Sequence, residues 1–119
     1  AQASQLVKQQ ARALPQTFGS PQMKSLLYHD PAQDLAEIDI PVLVLFGGKD
    51  TQVTVEMNKG PIKKALESAG VNYEIITFDD ANHPFQKAKT GKWQEYSTLE
   101  NKFVDGFTST IIDWIKNQK

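Results

Sequence analysis

The 119-residue chain carries 13 basic and 14 acidic side chains, a formal charge of −1, with 39% hydrophobic residues and no cysteine. That balance offers no electrostatic footprint for nucleic acid or an anionic membrane. The missing cysteine excludes disulfides, thiolate nucleophiles and Cys-ligated zinc, and no apolar run approaches the roughly 20 residues of a membrane helix.

The chain opens Ala1-Gln2-Ala3-Ser4-Gln5, with neither methionine nor an apolar signal core, as expected of a cut or trimmed product. Whether it acts in the cytoplasm or the periplasm stays open. Residues 4 to 13 place Leu6, Val7, Ala11 and Ala13 at helical spacing, with Ser4 as a cap and Pro15 as a stop, predicting a peripheral or lid helix. Gly19-Ser20-Pro21 reads as a turn, and Met23 to Tyr28 as a short helix. Asp30-Pro31 has the cap-then-proline order that starts a helix, here expected to run through Leu35 to Ile38.

Pro41 opens the apolar run Val42 to Phe46, whose length and β-branching predict a fully buried parallel strand. Gly47, Gly48, Lys49 and Asp50 follow directly. Asn58, Gly60 and Pro61 precede a predicted helix with Ile62, Ala65 and Leu66, ending at Gly70 as C-cap. Val71 to Phe78 reads as a second strand. A long loop follows His83 and carries Phe85, Trp93 and Tyr96; loops of this length in compact domains are often functional. A last helix is expected from about Asp105 to Asn117, with Phe107, Ile111, Trp114 and Ile115 as its apolar stripe. The element order is α/β.

Chemistry concentrates at two positions. Asp50 stands where the chain leaves the first strand, and His83 follows the second, 33 residues later. Parallel strands joined by a helix end on the same side of the sheet, about 4.8 Å apart when adjacent, so the two side chains can meet. A carboxylate orienting a histidine base is the arrangement a serine hydrolase requires. The bland readings are that Asp50 caps the next helix, that Gly47 and Gly48 only permit the turn, and that His83 is a structural loop histidine. Asp79 and Asp80 are rival acids, and His29 reads as a surface or capping residue.

No Gly-x-Ser-x-Gly elbow occurs in the chain, so the nucleophile and the oxyanion donors are expected upstream. Two distant histidines give no metal-ligand spacing, and no glycine-rich phosphate loop is present, so neither a metal nor a cofactor is expected. Lys49, Lys87, Lys89 and Lys92 read as a solvated face, or as a bias toward anionic esters. Trp93 and Tyr96 would pin the long loop, or wall an acyl pocket.

These residues resemble the C-terminal part of α/β-hydrolases, in particular a bacterial subgroup related to dienelactone hydrolases and acyl-peptidase-type serine hydrolases. The likeness is carried by Tyr28-His29-Asp30-Pro31-Ala32, by Ile40 through Val53, by Asn82-His83-Pro84-Phe85-Gln86, by Thr90-Gly91 and Glu95-Tyr96, and by Asp113-Trp114-Ile115. It implies an eight-stranded sheet of which this chain supplies the last two parallel strands with flanking helices, an incomplete fold. Residues 1–28 would be the tail of a cap or lid, and 29–119 the C-terminal part of the hydrolase domain. The resemblance makes Asp50 the acid and His83 the base, acting on a small-molecule ester or related acyl bond once an upstream serine is supplied. A variant with an aspartate nucleophile is compatible with the same residues. Alone, the chain is expected to be catalytically silent. The rival reading is a non-catalytic α/β binding or assembly module, since a strand cut from its sheet would self-associate or bind an N-terminal half.

Overall fold

The computed structural model describes residues 19–118. The helix expected over residues 4 to 13 lies outside them. The described residues fall into two compact units, one ending at Pro31 and the other beginning at Ala32.

The first unit contains α1, Pro21–Tyr28. The helix starts two residues before the expected Met23, because Ser20 is its N-cap and Pro21 its first residue. Ser20 Oγ accepts from the Met23 N–H at 3.2 Å, satisfying a donor that the first helical turn leaves open. What reads as a turn is therefore a helix start.

Helix α2 (Pro31–Ala36) begins on the last residue of the first unit, and the second unit continues through β1 (Val42–Gly47), α3 (Val55–Ala69), β2 (Tyr73–Phe78), a 3-10 helix (Trp93–Thr98) and α4 (Phe107–Lys116). Helix α2 stops short of Ile38, where Glu37 N–H closes the turn on Asp34 C=O at 3.1 Å. Strands β1 and β2 pair in parallel, in register from Val42 opposite Tyr73 to Gly47 opposite Phe78. This two-stranded sheet, crossed over by α3, is the α/β arrangement expected.

Strand β1 is not fully buried. Only Phe46 and Gly47 are, while Val42 to Leu45 are half-buried, because one neighbouring strand shields less of a strand than two would. Helix α3 begins seven residues ahead of its expected start at Ile62 and carries Pro61 inside it. A proline lacks the N–H for the helical ladder and crowds the preceding turn, at about 3 kcal/mol; tertiary burial of Ala65 and Leu66 holds the helix nonetheless. Its end is as expected. Gly70 adopts φ +70° and its N–H reaches the Leu66 and Glu67 carbonyls, the left-handed cap that glycine makes at no steric cost.

Helix α4 starts at Phe107, after Gly106 at φ +83°. Phe107, Ile111 and Trp114 are half-buried as expected, but Ile115 is 59% exposed. The covered face is completed by Thr110, one turn from Phe107. Four rings (Phe78, Phe85, Phe103 and Phe107) gather at the start of α4, with centroids 4.6 to 6.2 Å apart. Among the described residues the buried apolar side chains are few: Phe46, Ala65, Leu66, Ala81 and Ala88. They fix α3 and the loop after β2 around the end of β1 from which Asp50 departs.

Candidate active site

Two loops meet beyond the carboxyl ends of β1 and β2. The first is the turn Gly47-Gly48-Lys49-Asp50, closed by Asp50 N–H on Gly47 C=O at 3.1 Å. Neither glycine has a positive φ, so backbone freedom is not what requires them. The reason is close approach. A Cβ on Gly47 would come within 2.6 Å of the Ala81 and Asn82 carbonyl oxygens, and one on Gly48 within 2.6 Å of that of Asp79. The glycines let the loop after β2 lie directly on the turn after β1. Gly48 N–H donates to Phe78 C=O at 2.8 Å and Lys49 N–H to Ala81 C=O at 2.9 Å, tying the two together.

The second loop presents His83. Ala81 and Lys87 form an antiparallel bridge, and Asn82 closes the loop from inside. Asn82 is fully buried; its Oδ1 accepts from Gln86 N–H at 2.8 Å and its Nδ2 donates to Gln86 Oε1 at 3.3 Å. Its backbone C=O accepts from Phe85 N–H at 3.0 Å and its N–H donates to Gln86 C=O at 3.0 Å. Phe85 takes φ +58°, which costs a non-glycine residue about 1–2 kcal/mol. Its ring lies 4.7 Å from that of Phe107, and its C=O accepts from Val104 N–H at 2.7 Å, contacts that hold it there. His83 thus stands at the tip of a short, internally bonded loop.

His83 Nδ1 lies 2.9 Å from Asp50 Oδ2. A carboxylate can only accept, so Nδ1 carries the proton, and in the neutral ring Nε2 carries the lone pair. The other oxygen, Asp50 Oδ1, accepts from the Gln52 and Val53 N–H groups at 2.8 and 2.9 Å. The carboxylate side chain is 8% exposed and the imidazole 45%. Burial pushes the Asp50 carboxyl up, but the hydrogen bonds from Val53, His83 and Gln52 and the imidazolium charge outweigh it and hold it below the usual range. Asp50 does not cap α3, whose N-cap is Thr54; it closes the turn leading there.

Of the rival acids, Asp80 pairs with Lys49 at 2.7 Å, and that contact lowers its carboxyl below the usual range. Asp79 is exposed. Lys49 also donates to Ala88 C=O at 2.9 Å, so it braces the two loops, while Lys87, Lys89 and Lys92 are exposed. His29 is the C-cap of α1, in the other unit. Tyr96 does pin its loop: its hydroxyl accepts from Gln52 Nε2 at 3.4 Å. Trp93 does not, at 73% exposure. Among the described residues no group of three or more histidine, aspartate or glutamate side chains could hold a metal, and no helix is long and apolar enough to cross a membrane.

Two contributors, Asn82 and Glu95, belong to the stretches that carry the resemblance but were given no role of their own. The buried amide of Asn82 carries no pattern of its own beyond its place before His83. Glu95, whose carboxylate accepts from the Thr90 and Gly91 N–H groups, had one available signal: an acidic residue four positions after a glycine.

Sequence comparison relates the chain to known proteins. The profile of the dienelactone hydrolase family matches residues 4–116. Esterase EstD of Thermotoga maritima is 41% identical over 54 residues, covering 45% of this chain and 13% of EstD. The carboxymethylenebutenolidase homolog of Mus musculus is 24% identical over 84 residues, covering 71% of this chain and 33% of that protein. The chain therefore spans a third or less of the length of these relatives. No solved structure matches it.

Proposed function

The chain belongs to the dienelactone hydrolase family, of α/β-hydrolase fold, and on that premise we propose that it supplies the acid and base of an acyl-bond hydrolase whose nucleophile lies outside these 119 residues. The observation that carries this reading is the 2.9 Å contact of His83 Nδ1 with an Asp50 carboxylate whose second oxygen is already held by two N–H groups. With Nδ1–H committed to Asp50, Nε2 is the basic atom. It takes the proton of a serine hydroxyl as the oxygen attacks the acyl carbon, and returns it to the leaving alcohol. Asp50 keeps the ring in that tautomer and stabilises the imidazolium. Water then repeats the sequence on the acyl-enzyme.

The substrate class is a small carboxylic ester or a related acyl compound, which the names of EstD and of the mouse homolog support by analogy. The test compares turnover of a chromogenic ester by the 119-residue chain and by a polypeptide extended to include the elbow serine. We expect turnover only in the second, abolished by His83→Ala. His83-dependent turnover by the 119-residue chain alone would overturn the claim that the nucleophile is external.

A second reading has its own observation. Among the described residues β1 and β2 pair only with each other, leaving outer edges for a further strand, from an N-terminal half or from a second copy. An assembly module would use those edges without chemistry. Light scattering that gives a stable monomer at all concentrations would count against it.

A further inference from the structure

The turn that carries Asp50 is gripped from a segment some forty residues further along the chain, and we propose that Glu95 is a positioning residue for the Asp50–His83 pair, a role that rests on the acid–base reading above. Glu95 lies in the first turn of the 3-10 helix and its carboxylate reaches back along the chain. Oε1 accepts from the Gly91 N–H at 2.6 Å and the Thr90 N–H at 3.1 Å, and Oε2 lies 3.2 Å from the same Thr90 N–H. Hydrogen bonds to an ionised acceptor are the short and strong ones, so this clasp fixes the backbone at Gly91.

Gly91 is the part that touches the acid turn. It is buried, at φ +74°, and its Cα packs so tightly on Lys49 that an added Cβ would fall on the Lys49 carbonyl oxygen. Gly91 is therefore demanded twice, by conformation and by space. Two further contacts come from the same segment: Thr51 Oγ1 donates to Gly91 C=O at 3.3 Å, and Gln52 Nε2 donates to Tyr96 Oη at 3.4 Å. Lys49, Thr51 and Gln52 bracket Asp50. The path from Glu95 runs through Gly91 to the Lys49 backbone before Asp50 and to the Thr51 side chain after it, and from the Asp50 carboxylate to His83. Glu95 touches neither reacting atoms nor His83; it sets where the acceptor for Nδ1–H stands.

The test reads the pair without requiring turnover. By NMR, the His83 Nδ1 proton held by Asp50 should give a downfield, slowly exchanging resonance. In Glu95→Ala, which takes both acceptor oxygens away from the Thr90 and Gly91 N–H groups, that resonance should broaden or vanish while the amide signals of Leu66 and Ala81 stay in place. Gly91→Ala should do the same from the other end of the path, and Lys63→Ala, on the exposed face of α3, should change nothing. In a polypeptide that hydrolyses esters, either site variant should lower kcat roughly 10-fold to 100-fold, as expected of a displaced catalytic group, with KM unchanged. An undisturbed Nδ1 resonance in both variants overturns the proposal. So does its absence in the unsubstituted protein, or collapse of the whole spectrum in both variants, which would make Glu95 structural only. A resonance that depends on Glu95 in a protein hydrolysing no acyl compound, even with its serine present, would instead leave the positioning intact and sink the hydrolase reading.

Discussion

Asp50 shares its two oxygens between jobs that answer to different experiments. Oδ1 holds the turn through Gln52 and Val53, and Oδ2 holds His83. In Asp50→Asn the amide oxygen can keep the turn, but the Nδ2 group then faces Nδ1 and drives the imidazole proton to Nε2, the wrong tautomer for a base. The proposed hydrolysis should fall by on the order of 10³–10⁴-fold, with little loss of fold, as measured by kcat beside a urea midpoint. The pH dependence has a definite sign. Because the folded carboxyl titrates below its ordinary value near 3.8, Asp50 stabilises the fold fully above that value, and the contribution is lost as pH falls through its lower folded pKa. Urea midpoints at pH 6 and pH 3 should therefore differ less in Asp50→Asn than in the native protein. An equal difference would show that the turn does not depend on the charge. The pair itself was legible in the sequence, since a carboxylate and a histidine after successive parallel strands have few other places to go. The reason for Gly47 and Gly48 was not: only the structure shows the loop after β2 resting where their Cβ atoms would be.

At the scale of elements, local signals read well where they agree with burial and poorly where tertiary contacts override them. Val42 to Phe46 announced a strand and Gly70 a helix end, and both are observed. The start of α3 was misread because Asn58, Gly60 and Pro61 are breakers by propensity, yet the helix passes through all three from Val55. Leu66, completely buried, needs the helix beneath it more than three local preferences oppose it. Replacing Pro61 with Ala should restore a backbone donor and raise stability by about 2 kcal/mol, the interior-proline penalty less the entropy the freed unfolded chain gains. Gly70→Ala tests the opposite end. Nothing lies within 4 Å of the added methyl, so only the left-handed conformation opposes it, at about 1–2 kcal/mol. Urea denaturation of both variants checks the pair. A destabilised Pro61→Ala would mean that the ring packs against something the helix needs. The 3-10 helix at Trp93–Thr98 was legible only as part of a long loop, since its order comes from the Glu95 carboxylate, and contacts across a loop leave no periodicity behind.

For the whole molecule the decisive feature is the edge of β1. Val42 N–H donates to Asn72 C=O on the β2 side at 3.0 Å, as Gly48 N–H does to Phe78 C=O at 2.8 Å. Along a strand successive N–H groups alternate in direction, so those of Leu43 and Leu45 point away from β2, to an edge that no described strand covers. Amides on such an edge exchange with solvent at little more than the cost of local opening, whereas those in a ladder wait for larger openings. If the nucleophile arrives on a segment that extends this sheet, the amides of Leu43 and Leu45 should exchange quickly in the dilute 119-residue chain and slow by at least about 10-fold when that segment is present. The amides of Val44 and Phe46, already facing β2, should change less. Slowing that tracks the concentration of the 119-residue chain alone would favour a second copy as the added strand. Leu43 and Leu45 amides already slow at high dilution would mean that the edge is covered within the chain itself. The acid and base would then stand beside a sheet that needs no further strand, and the serine would have to reach His83 by another route.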